Sequence, residues 1–362
     1  MNIVKSLDRI AAKGLYPQKD NVIFVGITDG GERQYRLYGQ LPAAVTDHSA
    51  LFEIGSMTKV FTALLLTHLV QQNMISLDDP VAKFLPAYAK STTAGSHETT
   101  LRHLATHTSG LPREDNVLNK RVAFSKEKRL NPYLYYTSED LTSFLSTHQL
   151  NRKKIGKWNY SNIGMALLAR ILEHVLQIPY EQAVEELVCA PLGLSDTVFR
   201  LNNEQQQRKV EAFTKKRTPI PPLQIGGVRG AGGMSSTMQD MMRFVELNLG
   251  IIDSTATDPL HFSHQKQANG PDQHFNMGLG WFIKHSKHTT HPVVWTGGTT
   301  IGFHTYAGFI KEKKLGVVVL SSYHLKLFEL IQTLMGKGPI VTDRLATTIF
   351  ENAYKAQPPA IN

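Results

Sequence analysis

The sequence is poor in the residues and segments that would tie it down covalently or carry it into a membrane. A single cysteine, Cys189, occurs in 362 residues, which excludes an internal disulfide framework and any cysteine-rich zinc site. The longest apolar runs, Val60–Leu66, Gly164–Leu168 and Leu315–Leu320, fall far short of the ~18–20 residues of a membrane-spanning helix. The first thirty residues are interrupted by Lys5, Asp8, Arg9, Lys13, Lys19 and Asp20 and hold no apolar signal-peptide core. The chain as given is therefore expected to be soluble. A chain whose leader had been trimmed would read the same, so a cytoplasmic and an exported compartment both stay open. Basic residues are in excess, with a formal charge of +9. The clusters Arg152-Lys153-Lys154, Lys215-Lys216-Arg217 and Lys313-Lys314 nevertheless lack the interleaved aromatics that stack on bases, so no nucleic-acid partner is expected.

What is present is an ordinary globular composition, 41% hydrophobic and 19% charged. A chain of this length can bury about three quarters of its unfolded surface and needs no staples. Residues 21–39 read as two strands around Asp29-Gly30-Gly31. From about Ser56 to Gln72 the apolar residues Met57, Val60, Phe61, Leu64, Leu65 and Leu69 keep helical spacing, with Ala63 and Leu66 on another face, which predicts a helix buried on nearly all sides. Leu77-Asp78-Asp79-Pro80 opens a further short helix, and helices are expected over Leu101–Thr106, Thr137–Thr147, Asn162–Leu176 and Tyr180–Val188. The Pro-rich segment Lys209–Leu223 reads as a surface crossing. Beyond it come a helix with Met238, Met241, Met242 and Val245 on one face, strands at Leu279–His285, Val293–Thr296, Phe303–Ile310 and Leu315–Ser321, and a last helix over Asp343–Tyr354. Strands at both ends around a helical middle predict a mixed α/β fold. Its antiparallel sheet is built from both termini (1–78 with 224–362), a mainly helical domain (79–223) is inserted, and a cleft between them is the default site.

Three motifs carry chemistry. Ser56-Met57-Thr58-Lys59 is an S-x-x-K whose hydroxyl and amine share one helix face. A serine becomes a nucleophile when a base takes its proton, and a lysine lowered in pKa by burial can be that base. Its backbone N–H groups at the helix start can face a developing oxyanion. The pattern recurs at Ser125–Lys128 and Ser263–Lys266, but both lie among polar or charged residues and neither opens an apolar helix. Tyr160-Ser161-Asn162 precedes a helix: Tyr160 can shuttle protons and Asn162 can bind a carbonyl, although a helix N-cap beside a buried tyrosine is the plainer reading. Trp295-Thr296-Gly297-Gly298 closes a strand candidate, where two glycines admit a ligand's close approach, or simply form a hairpin turn.

The ordered set S-x-x-K, Y-x-N and T-G-G resembles the penicillin-recognising serine hydrolases: class C β-lactamases, DD-peptidases and family VIII carboxylesterases. Residues 52–59, 101–112, 159–172, 232–236, 278–281 and 315–321 support the resemblance, which spans about residues 20–350. It implies a serine β-lactamase/DD-peptidase-like fold and an acyl-enzyme mechanism. Ser56 would be the nucleophile, Lys59 and Tyr160 the acid–base pair, and the N–H groups of Ser56 and Gly298 the oxyanion hole. Asn162 would position the acyl side, with Trp295, Thr296 and Gly297 lining the substrate site. One departure matters: Trp295 stands where relatives carry the Lys of K-T-G, a cation that helps hold a substrate carboxylate. An indole offers one N–H and no charge. The expected substrate is a small ester, amide or β-lactam, with uncharged esters slightly favoured. A β-lactamase, a D-alanyl-D-alanine carboxypeptidase and a penicillin-binding-like recognition module with little turnover are the alternatives. Arg229 and His304 are candidates for a replacement cation.

No metal or cofactor is expected. His103 and His107 stand i, i+4 but lack the glutamate of H-E-x-x-H and read as structural. The glycine-rich 226–233 stretch completes no nucleotide-binding spacing and reads as an edge or loop lining the cleft. The Met238/Met241/Met242 stripe reads as core packing.

Overall fold

Alternating apolar residues near both ends of the chain assemble into one antiparallel sheet. The computed structural model describes residues 3–15, 21–43, 45, 48–94, 97–214, 216–253, 257–286, 288–322 and 340–355. In chain order the strands are β1 (Ile23–Asp29), β2 (Glu32–Tyr38), β3 (Leu51–Glu53), β4 (Thr93–Ala94), β5 (His97–Glu98), β6 (Ser235–Thr237), β7 (Ala268–Asn269), β8 (Phe275–Met277), β9 (Phe282–Lys284), β10 (Val293–Thr299), β11 (His304–Ile310) and β12 (Leu315–Ser321). Eight of them form the main sheet in the order β2-β1-β12-β11-β10-β9-β8-β7. The two ends of the chain meet where β1 pairs with β12, Ile23 opposite Ser321 and Asp29 opposite Leu315.

Both faces of the sheet are covered, as period-2 alternation of fully buried strands requires. Val22, Phe24, Val318 and Leu320 face the large core built with the helical region. Ile23, Val25, Val317 and Val319 face a second core closed by the helices Ile3–Leu15 and Val341–Lys355, through Leu7, Ile10, Ala11, Leu345, Ile349 and Phe350. The Met-bearing helix Met238–Leu249 lies on the first face. A Cβ at Gly26 would sit 2.7 Å from Met238 Sδ and 2.6 Å from Met242 Sδ, so this stripe is packing.

The central helix Thr58–Gln71 is buried on nearly every side, as its composition predicts. Its polar residues are satisfied locally: Thr62 Oγ1 bonds Gly230 O at 2.8 Å and Tyr180 OH at 2.7 Å, and Thr67 Oγ1 donates to Ala63 O at 2.8 Å. The helical middle follows the expected order, with helices at Val81–Phe84, Leu101–Ala105, Ser138–Thr147, Asn162–Leu176 and Tyr180–Val184. The last of these passes into a π-helical turn, Glu185–Cys189.

Several expectations are corrected. Trp295-Thr296-Gly297-Gly298 lies inside β10 and not in a turn, because β11 continues to pair with it as far as Thr299 opposite His304. The strand expected from Leu279 begins at Phe282. Ser263, expected among solvated residues, is fully buried: it donates to Leu260 O at 2.7 Å and accepts from Trp281 Nε1 at 3.1 Å, while Lys266 is exposed. The helices Ile3–Leu15 and Asn116–Val122 and the short strands β7 and β8 had no counterpart in the sequence reading. Lys215 of the basic run lies outside the described residues.

Truncating Phe350, 2% exposed in the second core, to alanine is expected to cost about 3–5 kcal/mol. Phe124→Ser, at a fully exposed position, should stay within about 0.5 kcal/mol. Urea unfolding of the two variants checks both.

Candidate active site

Ser56 sits just before the central helix, in the 3₁₀ turn Gly55–Met57 that joins β3 to it. That turn is fixed from two sides. Gly55 has φ +51°, and a Cβ there would lie 2.9 Å from Thr299 N; a Cβ on Gly298 would lie 1.8 Å from Ile54 O. Only glycines let β10 come this close to the serine turn. Thr58 Oγ1 donates to Gly55 O at 2.7 Å and closes the turn.

One helical step on, Lys59 is 2% exposed. Its Nζ is 2.9 Å from Ser56 Oγ and donates to Ala231 O at 2.7 Å. Ala231 belongs to the glycine-rich 226–233 stretch, which holds the amine through this carbonyl but, contrary to expectation, is not among the residues that line the cavity. Burial pushes the Lys59 ammonium below its ordinary range, and the nearby Arg113 guanidinium adds to this. Tyr160 and Glu114 act in the opposite sense. When Lys59 is neutral, the Ser56 hydroxyl can donate to the amine lone pair, which is the arrangement a nucleophilic serine needs.

Tyr160 lies across the cavity, with Lys59 Nζ 4.8 Å and Arg113 Cζ 4.9 Å from its ring centre. Ser161 caps the Asn162–Leu176 helix, accepting from Gly164 N at 2.8 Å. The plainer reading of this motif is thus true of Ser161 and leaves Tyr160 at the site. Ser56, Lys59, Tyr160, Trp295, Thr296, Gly297 and Gly298 all line one cavity of about 150 Å³. Asn162 does not line it. Its amide nitrogen is turned away, donating to Glu114 Oε1 and to Tyr133 OH, while Tyr133 OH donates to the same Glu114 oxygen at 2.6 Å. A carboxylate accepts only, so Glu114 fixes this amide orientation and leaves Asn162 Oδ1 without a partner.

Four residues of the site went unread in the sequence. His107, taken as structural, lines the cavity with φ +60°, and its ring packs on Tyr160 at 4.3 Å. Its Nδ1 accepts from Ser161 N at 3.3 Å, so it orients the Tyr160 turn. Burial, with Lys59 and Arg113 nearby, pushes it down to about 3. Arg113 and Glu114 follow directly on the quoted 101–112 stretch, the one signal that pointed to them. Asp343 enters the cavity from the far end of the chain. His103 is structural as expected, its Nδ1 accepting from Thr100 N at 3.1 Å. Neither proposed replacement cation lines the cavity: Arg229 pairs with Glu181 at 3.2 Å, and His304 Nδ1 lies 3.2 Å from Thr299 Oγ1. Among the described residues no cluster of three or more metal-ligating side chains occurs, and no helix is long and apolar enough to cross a membrane.

A half-buried serine within hydrogen-bonding distance of a buried lysine, a tyrosine facing them and a glycine strand against the serine turn are the groups that serine acyl transfer requires. The chain belongs to the Beta-lactamase family, whose model matches residues 8–329. It is 28% identical over 360 residues to the D-alanyl-D-alanine-carboxypeptidase/endopeptidase AmpH of Escherichia coli K12, covering 92% of this chain and 90% of the relative. It is 27% identical over 333 residues to a β-lactamase of Providencia stuartii, covering 82% and 81%. The fold matches the β-lactamase/D-alanine carboxypeptidase of Pseudomonas syringae with a TM-score of 0.76 at 20% identity, over 99% and 100% of the two chains. The protein is accordingly a hydrolase of the serine β-lactamase/DD-carboxypeptidase type.

Two buried histidines set an acid limit on stability. His107 and His264 are both pushed down to about 3 by burial, against an ordinary value near 6.5. Between those values the unfolded chain binds protons that the folded chain refuses, so stability is lost as pH falls from about 6.5 towards 3, by up to about 1.4 kcal/mol per pH unit for each ring. Unfolding midpoints from pH 7 to 4 should fall, and the fall should be shallower in His264→Gln.

Proposed function

We propose that the protein cleaves a carboxylic ester, amide or β-lactam through an acyl-enzyme on Ser56. The observation that carries this is the 2.9 Å contact between Lys59 Nζ and Ser56 Oγ in a cavity shared with Tyr160 and Gly298. Lys59 takes the Ser56 proton as Oγ bonds the carbonyl carbon. The N–H groups of Ser56 and Gly298 hold the oxyanion, and Tyr160 passes a proton to the departing oxygen or nitrogen. Water then attacks the acyl carbon, gives up its proton to the same pair and frees the serine. His107 positions this machinery through its contact with Tyr160, and Glu114 fixes Asn162 behind it. We also infer that the site lies between a sheet-containing part, 1–78 with 224–362, and the helical part 79–223.

Trp295 supports the finer choice of an uncharged ester. Its ring is sandwiched between Phe282, centres 4.8 Å apart, and Tyr306, 5.6 Å apart, so the wall facing the substrate at this point is aromatic. Losing a charge-assisted contact worth ~1.5–3 kcal/mol would weaken a carboxylate-bearing substrate by roughly one to two orders of magnitude. The names of the relatives support a second reading, a β-lactamase or D-alanyl-D-alanine carboxypeptidase.

A short-chain p-nitrophenyl ester and a chromogenic cephalosporin, assayed side by side, decide between these. The ester is expected to turn over faster, and Ser56→Ala should abolish both activities. Trp295→Lys should raise kcat/KM for the cephalosporin relative to the ester by about tenfold or more. A protein that is acylated by penicillin without turning over either substrate is a recognition module, and the hydrolytic proposal then fails.

A further inference from the structure

The cavity continues past the glycines to a second charged group. Beside Phe282 and Trp295 it is lined by Ile340 and Asp343, at the start of the Val341–Lys355 helix. That helix belongs to the core on the other face of the sheet, so its first turn reaches round the end of the sheet to the catalytic cavity. Asp343 Oδ2 accepts from Thr342 Oγ1 at 3.2 Å, and no ion pair to Asp343 forms among the described residues. The groups facing it are Lys284 on β9, which acts on it only through space, and the buried Tyr306 phenol on β11. Lys59 is the one Lys or Arg among the lining residues, and its ammonium is turned to Ser56 and Ala231. His107 stays neutral above about pH 3. Among the described residues, the lining of the Trp295 end of the cavity therefore carries a carboxyl and no Lys or Arg, with Lys284 behind it acting only through space, and an indole N–H that is buried without a partner.

We infer that Asp343 is a specificity-determining residue, selecting substrates whose leaving group carries an ammonium and rejecting those whose leaving group carries a carboxylate. This rests on the acyl-enzyme reading above, with the departing group taken to lie at the Trp295 end of the cavity. A substrate carboxylate there meets a like charge in a poorly solvated pocket, whereas an ammonium meets a counter-charge and an aromatic wall. Burial pushes the Asp343 carboxyl up to about 6, so the selection is in force above neutral pH and fades below pH 5, where the carboxyl is protonated.

The test compares acetylthiocholine with its uncharged isostere, 3,3-dimethylbutyl thioacetate, with the rates of Ser56→Ala subtracted. Taking the ratio of the two kcat/KM values cancels the titration of Lys59 and every other group common to both reactions. At pH 8 the cationic ester is expected to be favoured by at least about tenfold. The ratio should fall towards one in Asp343→Asn, and in the unaltered protein at pH 5. If both esters are cleaved through Ser56 with equal efficiency at pH 8, or if Asp343→Asn leaves the ratio unchanged, the inference is overturned and the hydrolase reading stands. If neither these esters nor a p-nitrophenyl ester is cleaved through Ser56, the reading beneath it falls as well.

Discussion

The site depends on one costly placement, an amine taken out of water beside a hydroxyl. An isolated buried ammonium is disfavoured, and the group answers by giving up its proton more readily. Lys59 is held there by a helix so apolar that it belongs at the centre of any fold this chain adopts, and by Ala231 O as a second acceptor. Once the lysine is fixed, the serine one helical step before it is fixed too. The 3₁₀ turn then turns Ser56 towards β10, with Gly55 and Gly298 allowing the approach.

The sheet supplies the other half of the arrangement. Because β1 pairs with β12, the two ends of the chain close one continuous surface, and β10 runs along the serine turn. The same closure lets the last helix deliver Asp343 to the cavity from nearly 290 positions beyond Ser56. Charge at the site is thereby divided. Arg113 and Glu114 stand beside Tyr160 and Asn162 on the helical side, and the Asp343 carboxyl, with no ion pair among the described residues, lines the same cavity as Trp295 on the sheet side.

Much of this was legible in the sequence because it depends on short-range spacing. A three-residue step puts Ser56 and Lys59 on one helix face, alternation places β1, and the short, apolar-rich segments 303–310 and 315–321 read as β11 and β12. The Asn162–Leu176 helix carries its own start signal in Ser161. What was not legible depends on distant partners. His107 looked like a helix-end histidine because its role comes from a positive φ and a contact with Tyr160, neither of which leaves a local pattern. Asp343 looked like an ordinary acidic residue in a first helical turn. Ser263 looked solvated among polar neighbours, yet Trp281 covers it. The Ile3–Leu15 helix escaped notice because its apolar residues Leu7, Ile10 and Ala11 acquire a purpose only against Leu345 and Phe350. β10 was cut short at Thr296 because two glycines read as a turn, whereas here they permit close packing on the serine turn.

The central claim is that Lys59, as a neutral amine, deprotonates Ser56. It is tested most directly by the rate at which a fluorophosphonate labels the protein as pH is raised, with the adduct located by peptide mass mapping. A single adduct on Ser56 is expected, with a labelling rate that climbs to a plateau below the ordinary titration range of lysine and is lost by about 100-fold or more in Lys59→Arg, whose guanidinium keeps its proton. An adduct on another residue, or a Lys59→Arg protein labelled as fast as the original, would contradict it.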